Sequence, residues 1–134
     1  KPVERWLYFL VLSDGKQVLL EKQSGKGIWE SLYTFPLTER EKEVREDVLI
    51  GEVLPRMLRE IGIGLPQSAW QAVRISDIFR HALSHRSLRA RFVHLKLASL
   101  PHPKSENFHA VALDELDHFP VPRLMERYME VAKF

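Results

Sequence analysis

The sequence contains no cysteine among its 134 residues. This absence excludes disulfide bonds, thiolate zinc sites and iron–sulfur clusters held by this chain, and it is compatible with a reducing compartment. Long hydrophobic runs are also absent, because the longest one, residues 6–12, is far too short to span a bilayer. No secretory signal peptide is visible, and the first residue is Lys rather than Met. We therefore expect a fragment of a longer protein.

The composition that remains is ordinary for a globular domain, with 45% hydrophobic and 28% charged residues. A chain of this length folds as one domain and buries enough surface for its own core. The formal net charge is only +2 but is unevenly distributed, since residues 74–96 hold six cationic side chains against one acid. This stretch therefore carries +5 and the rest of the chain −3. Such a basic stretch indicates either contact with a polyanion or a solvated strand face.

A hairpin is predicted near the N-terminus. Two apolar runs, residues 6–12 and 17–22, flank the pair Asp14 and Gly15. An Asp-Gly pair between two apolar runs is a strong hairpin signal. Residues 24–27 are rich in glycine and are expected to form a flexible loop after the hairpin.

One helix is predicted in the middle of the chain. It follows an aromatic extended segment, residues 28–36, and a charged, weakly ordered stretch, residues 38–47. Apolar side chains then recur at helical spacing over residues 53–61. Pro55 either kinks this helix or lies in its first turn, and Gly62 is expected to end it.

The second half predicts two long strands, residues 73–83 and 87–98, joined by a tight loop around residues 84–86. The apolar phase of the second strand slips by one residue, which predicts a β-bulge near Phe92 and Val93.

The C-terminal region predicts a loop at residues 101–106, a further strand at residues 108–113 and a terminal amphipathic helix. Four side chains mark the apolar face of that helix: Leu124, Met125, Tyr128 and Val131. The whole pattern indicates the α+β class, with a mixed, mainly antiparallel sheet and flanking helices.

The order of these elements resembles the Nudix fold. A working Nudix hydrolase carries G-x5-E-x7-R-E-U-x-E-E-x-G-U, where U is aliphatic, and its glutamates hold the divalent cations that activate water. Only the end of this motif registers, at residues 58–63, where Glu60 matches. Pro55, Arg56 and Arg59 stand where Arg, Glu and Glu are required. Two cations in place of carboxylates repel a divalent metal. The sequence therefore predicts neither hydrolysis nor a metal site. Glu60 is then expected to be a solvated helix residue.

Two other groups of residues give only weak evidence for metal binding or catalysis. His81 and His85 are four residues apart, a spacing that chelates metal on a helix, but here it falls on a strand and a loop. Ser84 and His85 are adjacent in sequence, and neighbours of this kind rarely form a nucleophile and base pair. We expect an exposed histidine and a loop serine, and no catalytic residue in this chain.

Three segments resemble the C-terminal domain of MutY-type adenine DNA glycosylases, in the right order. Residues 79–88 read FRHALSHRSL and are similar to that family's H-x-F-[ST]-H-x-x-L loop. Residues 27–36 read GIWESLYTFP and are similar to its G-L-W-x-G-L-[WF]-x-F-P. Residues 113–116 read LDEL and, with Pro120 and Pro122 before the basic terminal helix, resemble its final stretch.

The resemblance implies a single Nudix-like domain, residues 1–134, that has lost hydrolysis and reads 8-oxoguanine paired with adenine in double-stranded DNA. The adenine is then excised by a separate N-terminal glycosylase domain, which carries a catalytic carboxylate, a helix-hairpin-helix and a four-cysteine iron–sulfur cluster. This chain is by that reading a C-terminal fragment without a cofactor, monomeric and cytoplasmic, or nucleoid-associated if bacterial. An active nucleoside-diphosphate hydrolase and a protein-interaction module on the same scaffold remain alternatives.

The residues suit this reading at one position above all. 8-Oxoguanine offers an N7–H donor beside an O8 acceptor, and the hydroxyl of Ser84 both donates and accepts. Leu83 departs from the family, which usually has an aromatic wedge there, and Glu30 with Ser31 replaces a small pair after the tryptophan. Arginines on both sides of the loop are suited to phosphates. The predicted DNA-binding residues are Trp29, Arg80, Leu83, Ser84, His85, Arg86, Arg89 and Arg91.

Overall fold

The computed structural model describes residues 2–103 and 105–134. In these ranges eight strands form one mixed, mostly antiparallel sheet with helices on both faces. The strands are β1 (Val3–Ser13), β2 (Gln17–Lys22), β3 (Tyr33–Thr34), β4 (Leu37–Arg40), β5 (Trp70–Ile75), β6 (Phe79–Ala82), β7 (Arg86–Leu97) and β8 (Phe108–Ala112). The α-helices are α1 (Glu46–Val48), α2 (Leu54–Ile61) and α3 (Arg123–Met129), and short 3-10 helices occur at Gln67–Ala69 and Leu113–His118. The predicted α+β class is confirmed.

The centre of the sheet is a parallel pair formed by β1 and β7. Their register runs without a shift from Val3 opposite Arg86 to Ser13 opposite Lys96. The antiparallel neighbours of β1 are β2 and β4, and those of β7 are β5 and β6. A strand pair covered on both faces needs apolar side chains on both faces, which explains the uninterrupted buried run that begins at Trp6 in β1.

Alternate residues of the central strands enter two hydrophobic cores, one on each face of the sheet. The first core lies under α2 and receives Trp6 and Tyr8 from β1. The second core lies under α3 and receives Phe9 from β1 and Phe92 from β7. Tyr128 of α3 stacks on Phe92 with 4.1 Å between ring centroids, so the terminal helix is fastened to the middle of the sheet.

The mid-chain helix shows how the chain accommodates a proline. Pro55 lies in the first turn of α2, one of the two placements that the sequence allowed. Immediately before α2, residues Leu49–Val53 widen into a π-helical turn that continues from α1. Proline lacks a backbone N–H and its ring crowds the carbonyl four residues earlier, so a wider turn relieves both problems. Gly62 ends α2 as predicted, in the left-handed region at φ 87°.

Two predictions about extended and disordered segments are wrong. Residues 28–36 are not continuously extended, because residues 28–31 form a turn and only Tyr33–Thr34 is a strand. Residues 38–47 are not weakly ordered, because β4 pairs with β1 and the helical region begins at Glu46. The charged composition of this segment concealed a strand whose polar side chains find partners elsewhere in the fold.

The predicted bulge near Phe92 and Val93 is also wrong, because β7 pairs with β1 without a shift. The slip in apolar phase arises because Phe92 faces the second core and Val93 the first. The irregularity lies in the partner strand, which breaks after Ile75, and there the Ser76 hydroxyl accepts a hydrogen bond from Phe92 N at 2.9 Å. The long strand predicted at residues 73–83 is therefore two strands, β5 and β6.

Other elements of the prediction are confirmed with one exception. The hairpin of β1 and β2 turns at Gly15, whose φ is 86°, and β8 lies within the strand predicted at residues 108–113. The predicted loop at residues 101–106 contains residue 104, which lies outside the described residues. α3 buries its predicted apolar face except for Val131, which follows the end of the helix and is 69% exposed. No helix in the described ranges has the length and apolarity required to cross a membrane.

Candidate nucleic-acid interface

The segment that resembles the MutY loop, residues 79–88, forms a tight hairpin at one end of the sheet. β6 pairs with β7 along its whole length. The turn is closed by a hydrogen bond from Leu83 N to Arg86 O of 2.8 Å. Ser84 and His85 form the tip of the hairpin, and both are exposed. Both predicted reader residues are thus accessible to solvent at one end of the sheet.

The tip is supported from below by the second core. Phe79 packs edge-to-face against Phe92 with 5.4 Å between ring centroids, and Leu83 lies half-buried against the same core. The guanidinium of Arg127 in α3 donates to the carbonyl oxygen of Arg80 at 2.6 Å. The hairpin is therefore held by both side-chain packing and a hydrogen bond, and Leu83 is partly packed rather than fully presented.

Two arginines of the hairpin present their side chains to solvent. Arg80 in β6 is exposed. Arg86 begins β7, with a side chain 46% exposed and the Glu39 carboxylate 3.9 Å from its guanidinium. That distance is longer than a strong charge-assisted hydrogen bond. Both arginines therefore leave their guanidinium groups open to solvent on the hairpin that carries the tip.

The other two predicted arginines are engaged inside the fold. Arg89 lies 3.2 Å from the carboxylate of Glu4. Arg91 is only 16% exposed and is 3.1 Å from Glu46, while its Nε donates to the carbonyl oxygen of Ser76 at 2.9 Å. These contacts join β7 to the start of β1 and to α1, so they hold the central strand in place and neutralise part of the basic stretch.

We expect Arg91→Ala and Arg86→Ala to change different properties. Arg91→Ala leaves the Ser76 carbonyl without its donor at a nearly buried position, which costs about 1–3 kcal/mol of stability. Arg86→Ala alters an exposed side chain and should change the free energy of unfolding by less than about 0.5 kcal/mol, while weakening binding to duplex DNA. Urea denaturation and duplex titration of both variants measure the two effects. A greater loss of stability in Arg86→Ala than in Arg91→Ala would contradict this assignment.

Trp29 lies beside a cavity next to the hairpin. Its ring is half-buried and packs on Phe9 with 5.9 Å between centroids. The cavity has a volume of about 510 Å³, and Trp29 and Arg86 both contribute to its lining. Lys26 lines it too and was not predicted. The signal that could have pointed to it is a cation between two glycines, three residues before Trp29. Ser31, where the MutY motif has glycine, adopts a left-handed φ of 69°.

The exposed face of α2 carries the side chains that replace the hydrolase motif. Arg56, Arg59 and Glu60 are exposed, whereas the apolar side chains of α2 are buried. Glu60 lines a cavity of about 310 Å³ together with Glu21 of β2, and burial raises the pKa of Glu21. Over residues 2–103 and 105–134, no three or more acidic, histidine or cysteine side chains are grouped so as to hold a metal ion.

Comparisons with known proteins bear on this arrangement. The pattern of the NUDIX domain family matches residues 7–131. The chain belongs to the NUDIX domain family. The match spans the sheet, the mid-chain helix and the terminal helix, so the predicted Nudix-like fold is confirmed. A comparison with curated proteins gives no match.

Several solved structures share this NUDIX fold. One is the C-terminal domain of mouse MUTYH from its complex with human PCNA, 17% identical with a TM-score of 0.75, where the match covers 94% of this chain and 85% of that chain. Another is the NUDIX domain of Shewanella oneidensis NrtR complexed with ADP ribose, 13% identical with a TM-score of 0.61, covering 97% and 88%. A third is a Nudix hydrolase from M. smegmatis, 14% identical with a TM-score of 0.57, covering 96% and 84%. At these identities the likeness shows the fold alone.

Proposed function

We propose that this NUDIX domain is a non-catalytic DNA-binding domain that recognises 8-oxoguanine paired with adenine. It directs adenine excision by a separate glycosylase domain in base excision repair. The observation that carries this proposal is the exposed hairpin tip, Ser84 and His85, formed by the segment that resembles the MutY loop. The likeness of the fold to the C-terminal domain of mouse MUTYH supports it.

The chemistry of the tip matches the lesion. Guanine has an acceptor at N7, whereas 8-oxoguanine has an N7–H donor next to the O8 acceptor. A reader therefore has to offer an acceptor and a donor side by side, and the Ser84 hydroxyl does both. Leu83 beside it is half-buried on the second core, and its exposed part offers the base an apolar contact of the kind that wedge residues make in other DNA-binding proteins. His85 adds a further polar contact, to a base or a phosphate.

The electrostatics of the hairpin supply the second part of the interface. Arg80 and Arg86 present exposed guanidinium groups close to the tip, and we assign direct phosphate contacts to them. Arg89 and Arg91 hold β7 in position through their glutamate partners. Trp29 and its loop border the cavity beside Arg86 and form the flank of the proposed DNA surface.

The proposal assigns the remaining chemistry to another part of the protein. Adenine excision requires a catalytic carboxylate, a helix-hairpin-helix and a four-cysteine iron–sulfur cluster in an N-terminal glycosylase domain. The present chain has no cysteine and therefore cannot hold that cluster. In this division of labour the NUDIX domain needs no cofactor and acts as a monomer that positions the lesion.

Nucleotide hydrolysis is the second candidate, because similar solved structures include Nudix hydrolases. The side chains of α2 oppose it, since Arg56 and Arg59 replace the metal-binding glutamates and repel divalent cations. We therefore expect no product when the protein is incubated with magnesium or manganese and a panel of nucleoside diphosphate compounds. A catalytically competent Nudix hydrolase in the same assay is the positive control. Protein-dependent turnover of any of these compounds would establish hydrolysis instead.

The proposed function is tested by binding to two otherwise identical duplexes, one with 8-oxoguanine opposite adenine and one with guanine opposite adenine. Fluorescence anisotropy should show tighter binding to the lesion duplex by about ten-fold or more, because the Ser84 hydroxyl and the backbone groups of the tip each contribute a hydrogen bond of about 1 kcal/mol. The logarithm of the affinity should fall against the logarithm of salt concentration with a slope of roughly −2, if Arg80 and Arg86 each meet one phosphate. A protein-interaction module with an apolar groove would show equal affinities and no salt slope, and that result would contradict the proposal.

A further inference from the structure

A cavity of about 310 Å³ lies between β5, the second half of β7 and the C-terminal residues. It is far along β7 from the hairpin tip, because its lining begins at residue 94 of a strand that starts at Arg86. The lining consists of Ala72, Arg74, His94, Lys96, Lys133 and Phe134. Every polar side chain in this set ends in nitrogen, and none carries a carboxylate.

Within the part of the chain that the structure describes, two cations of this cavity have no acidic partner, unlike the three arginines of β7 near the hairpin. Arg86, Arg89 and Arg91 each lie within ion-pair distance of a glutamate. Across the described residues, neither Arg74 nor Lys96 forms an ion pair with a carboxylate. Uncompensated positive charge in a concave site raises the local concentration of anions.

His94 lines the same cavity with a neutral ring. It is buried, at 3% exposure. Its Nδ1 is 3.2 Å from Nη2 of Arg74 and 3.4 Å from the hydroxyl of Tyr128. A guanidinium can only donate, so Nδ1 accepts from Arg74 and the proton of the neutral ring is on Nε2. Burial, with the charges of Arg74 and Lys96, lowers the pKa of His94 to about 4, in agreement with a neutral ring.

We propose that this cavity is a binding site for a phosphate group, with Arg74, Lys96 and Lys133 as its cationic ligands. A guanidinium matches the oxygens of a phosphate with paired N–H donors, and an ammonium adds a mobile point charge. The volume is at the lower end for ligand pockets, which suits a phosphate or a small phosphorylated molecule. This site does not depend on the proposed recognition of DNA by the hairpin.

The test is a titration of the protein with inorganic phosphate, with ionic strength held constant by sodium chloride. NMR resonances of the His94 ring and of β5 and β7 amides report on the site. We expect a saturable shift of the His94 signals and a rise of the His94 pKa, because a nearby anion favours the charged imidazole. The side chains around this ring are those of Arg74, Lys96, Tyr128, Lys133 and Phe134, and none of these side chains carries a negative charge at neutral pH.

Two variants test the ligands. Lys96→Gln and Arg74→Gln should each weaken phosphate binding by about three-fold or more, as expected for the loss of one charge-assisted contact. Lys42→Gln and Arg59→Gln alter exposed cations outside the cavity and should leave binding unchanged. Arg74 also donates to the carbonyl oxygen of Lys133, so if Arg74→Gln disturbs the C-terminal residues, the exposed Lys96 still decides the outcome.

A short duplex DNA, used in place of inorganic phosphate, distinguishes the possible sources of the phosphate group. If inorganic phosphate shifts the His94 resonances, the site binds a small phosphate-containing molecule. If only the duplex shifts them, the site binds the DNA backbone. The proposal is overturned if neither phosphate nor the duplex shifts the His94 resonances. It is also overturned if Lys96→Gln and the unchanged protein bind with equal affinity. Either result leaves the hairpin proposal standing, because that rests on Ser84 and the lesion duplex.

Discussion

Replacing Phe92 by alanine should lower the free energy of unfolding by about 3–5 kcal/mol. Phe92 is fully buried and contacts four aromatic rings. It stacks between Phe9, at 4.7 Å, and Tyr128, at 4.1 Å, and it meets Phe35 and Phe79 edge-to-face at 6.2 and 5.4 Å. These rings belong to separate elements and cannot all move into the space that the variant creates. Equilibrium denaturation in urea measures the loss.

The matched control is Val131→Ala, because Val131 is 69% exposed and should change stability by less than about 0.5 kcal/mol. Phe92→Ala also has a local consequence, since Phe79 of the hairpin rests on the removed ring. Amide hydrogen exchange in β6 should accelerate more than in β8, which is on the far side of β2. Equal stability of Phe92→Ala and Val131→Ala would show that the stacked rings of Phe9, Phe92 and Tyr128 do not hold the sheet and α3 together.

Local backbone chemistry explains why several elements were predictable from the sequence. Gly15 and Gly62 have positive φ angles, and glycine is the residue that adopts them without strain. In the first hairpin, Asp14 Oδ1 accepts from the backbone N–H of Lys16 and of Gln17, which is the usual role of aspartate in a turn. Signals of this kind act within a few residues and can be read directly from the chain.

The features that were missed depend on partners distant in sequence. β4 is short and charged, and only its pairing with β1 makes it a strand. α2 and α3 cover the two faces of the central strands, so apolar side chains point to both faces of β7, and this pattern, not a bulge in β7, explains the slip in apolar phase at Phe92. Periodicity reports how many faces are buried, but it does not identify the strand that pairs with each edge.

The candidate site likewise has a part that was predictable from local sequence and a part that depends on distant partners. The hairpin tip was predicted by a local motif, and the structure places Ser84 and His85 together at an exposed turn. The roles of the arginines were not predictable, because Arg89 and Arg91 find Glu4 and an acid of α1 only after folding. Counting charges along the sequence therefore did not distinguish the paired arginines near the hairpin from Arg74 and Lys96 at the other end of β7, which form no ion pair among the described residues.

Replacing Ser84 by alanine should reduce the preference for 8-oxoguanine over guanine by about five-fold or more. The Ser84 hydroxyl is the proposed contact to the N7–H and O8 edge, and its loss removes a direct hydrogen bond while leaving the phosphate contacts of Arg80 and Arg86 in place. Affinity for undamaged duplex should therefore change little. Binding to the two duplexes measures this for the NUDIX domain, and adenine excision opposite the two bases measures it in the full-length protein.

The interpretation of Ser84→Ala depends on an unchanged tip. Val3 N donates to the carbonyl oxygen of His85 at 3.1 Å, and this backbone bond does not involve the Ser84 side chain, so the variant should keep the turn. Ser99→Ala, at an exposed serine outside the hairpin, is the matched control and should leave the preference intact. Because backbone groups of the tip share the readout in this proposal, the loss in Ser84→Ala is partial, and the double variant with His85→Ala should lose more. If both variants discriminate as well as the unchanged protein, this hairpin does not read the lesion.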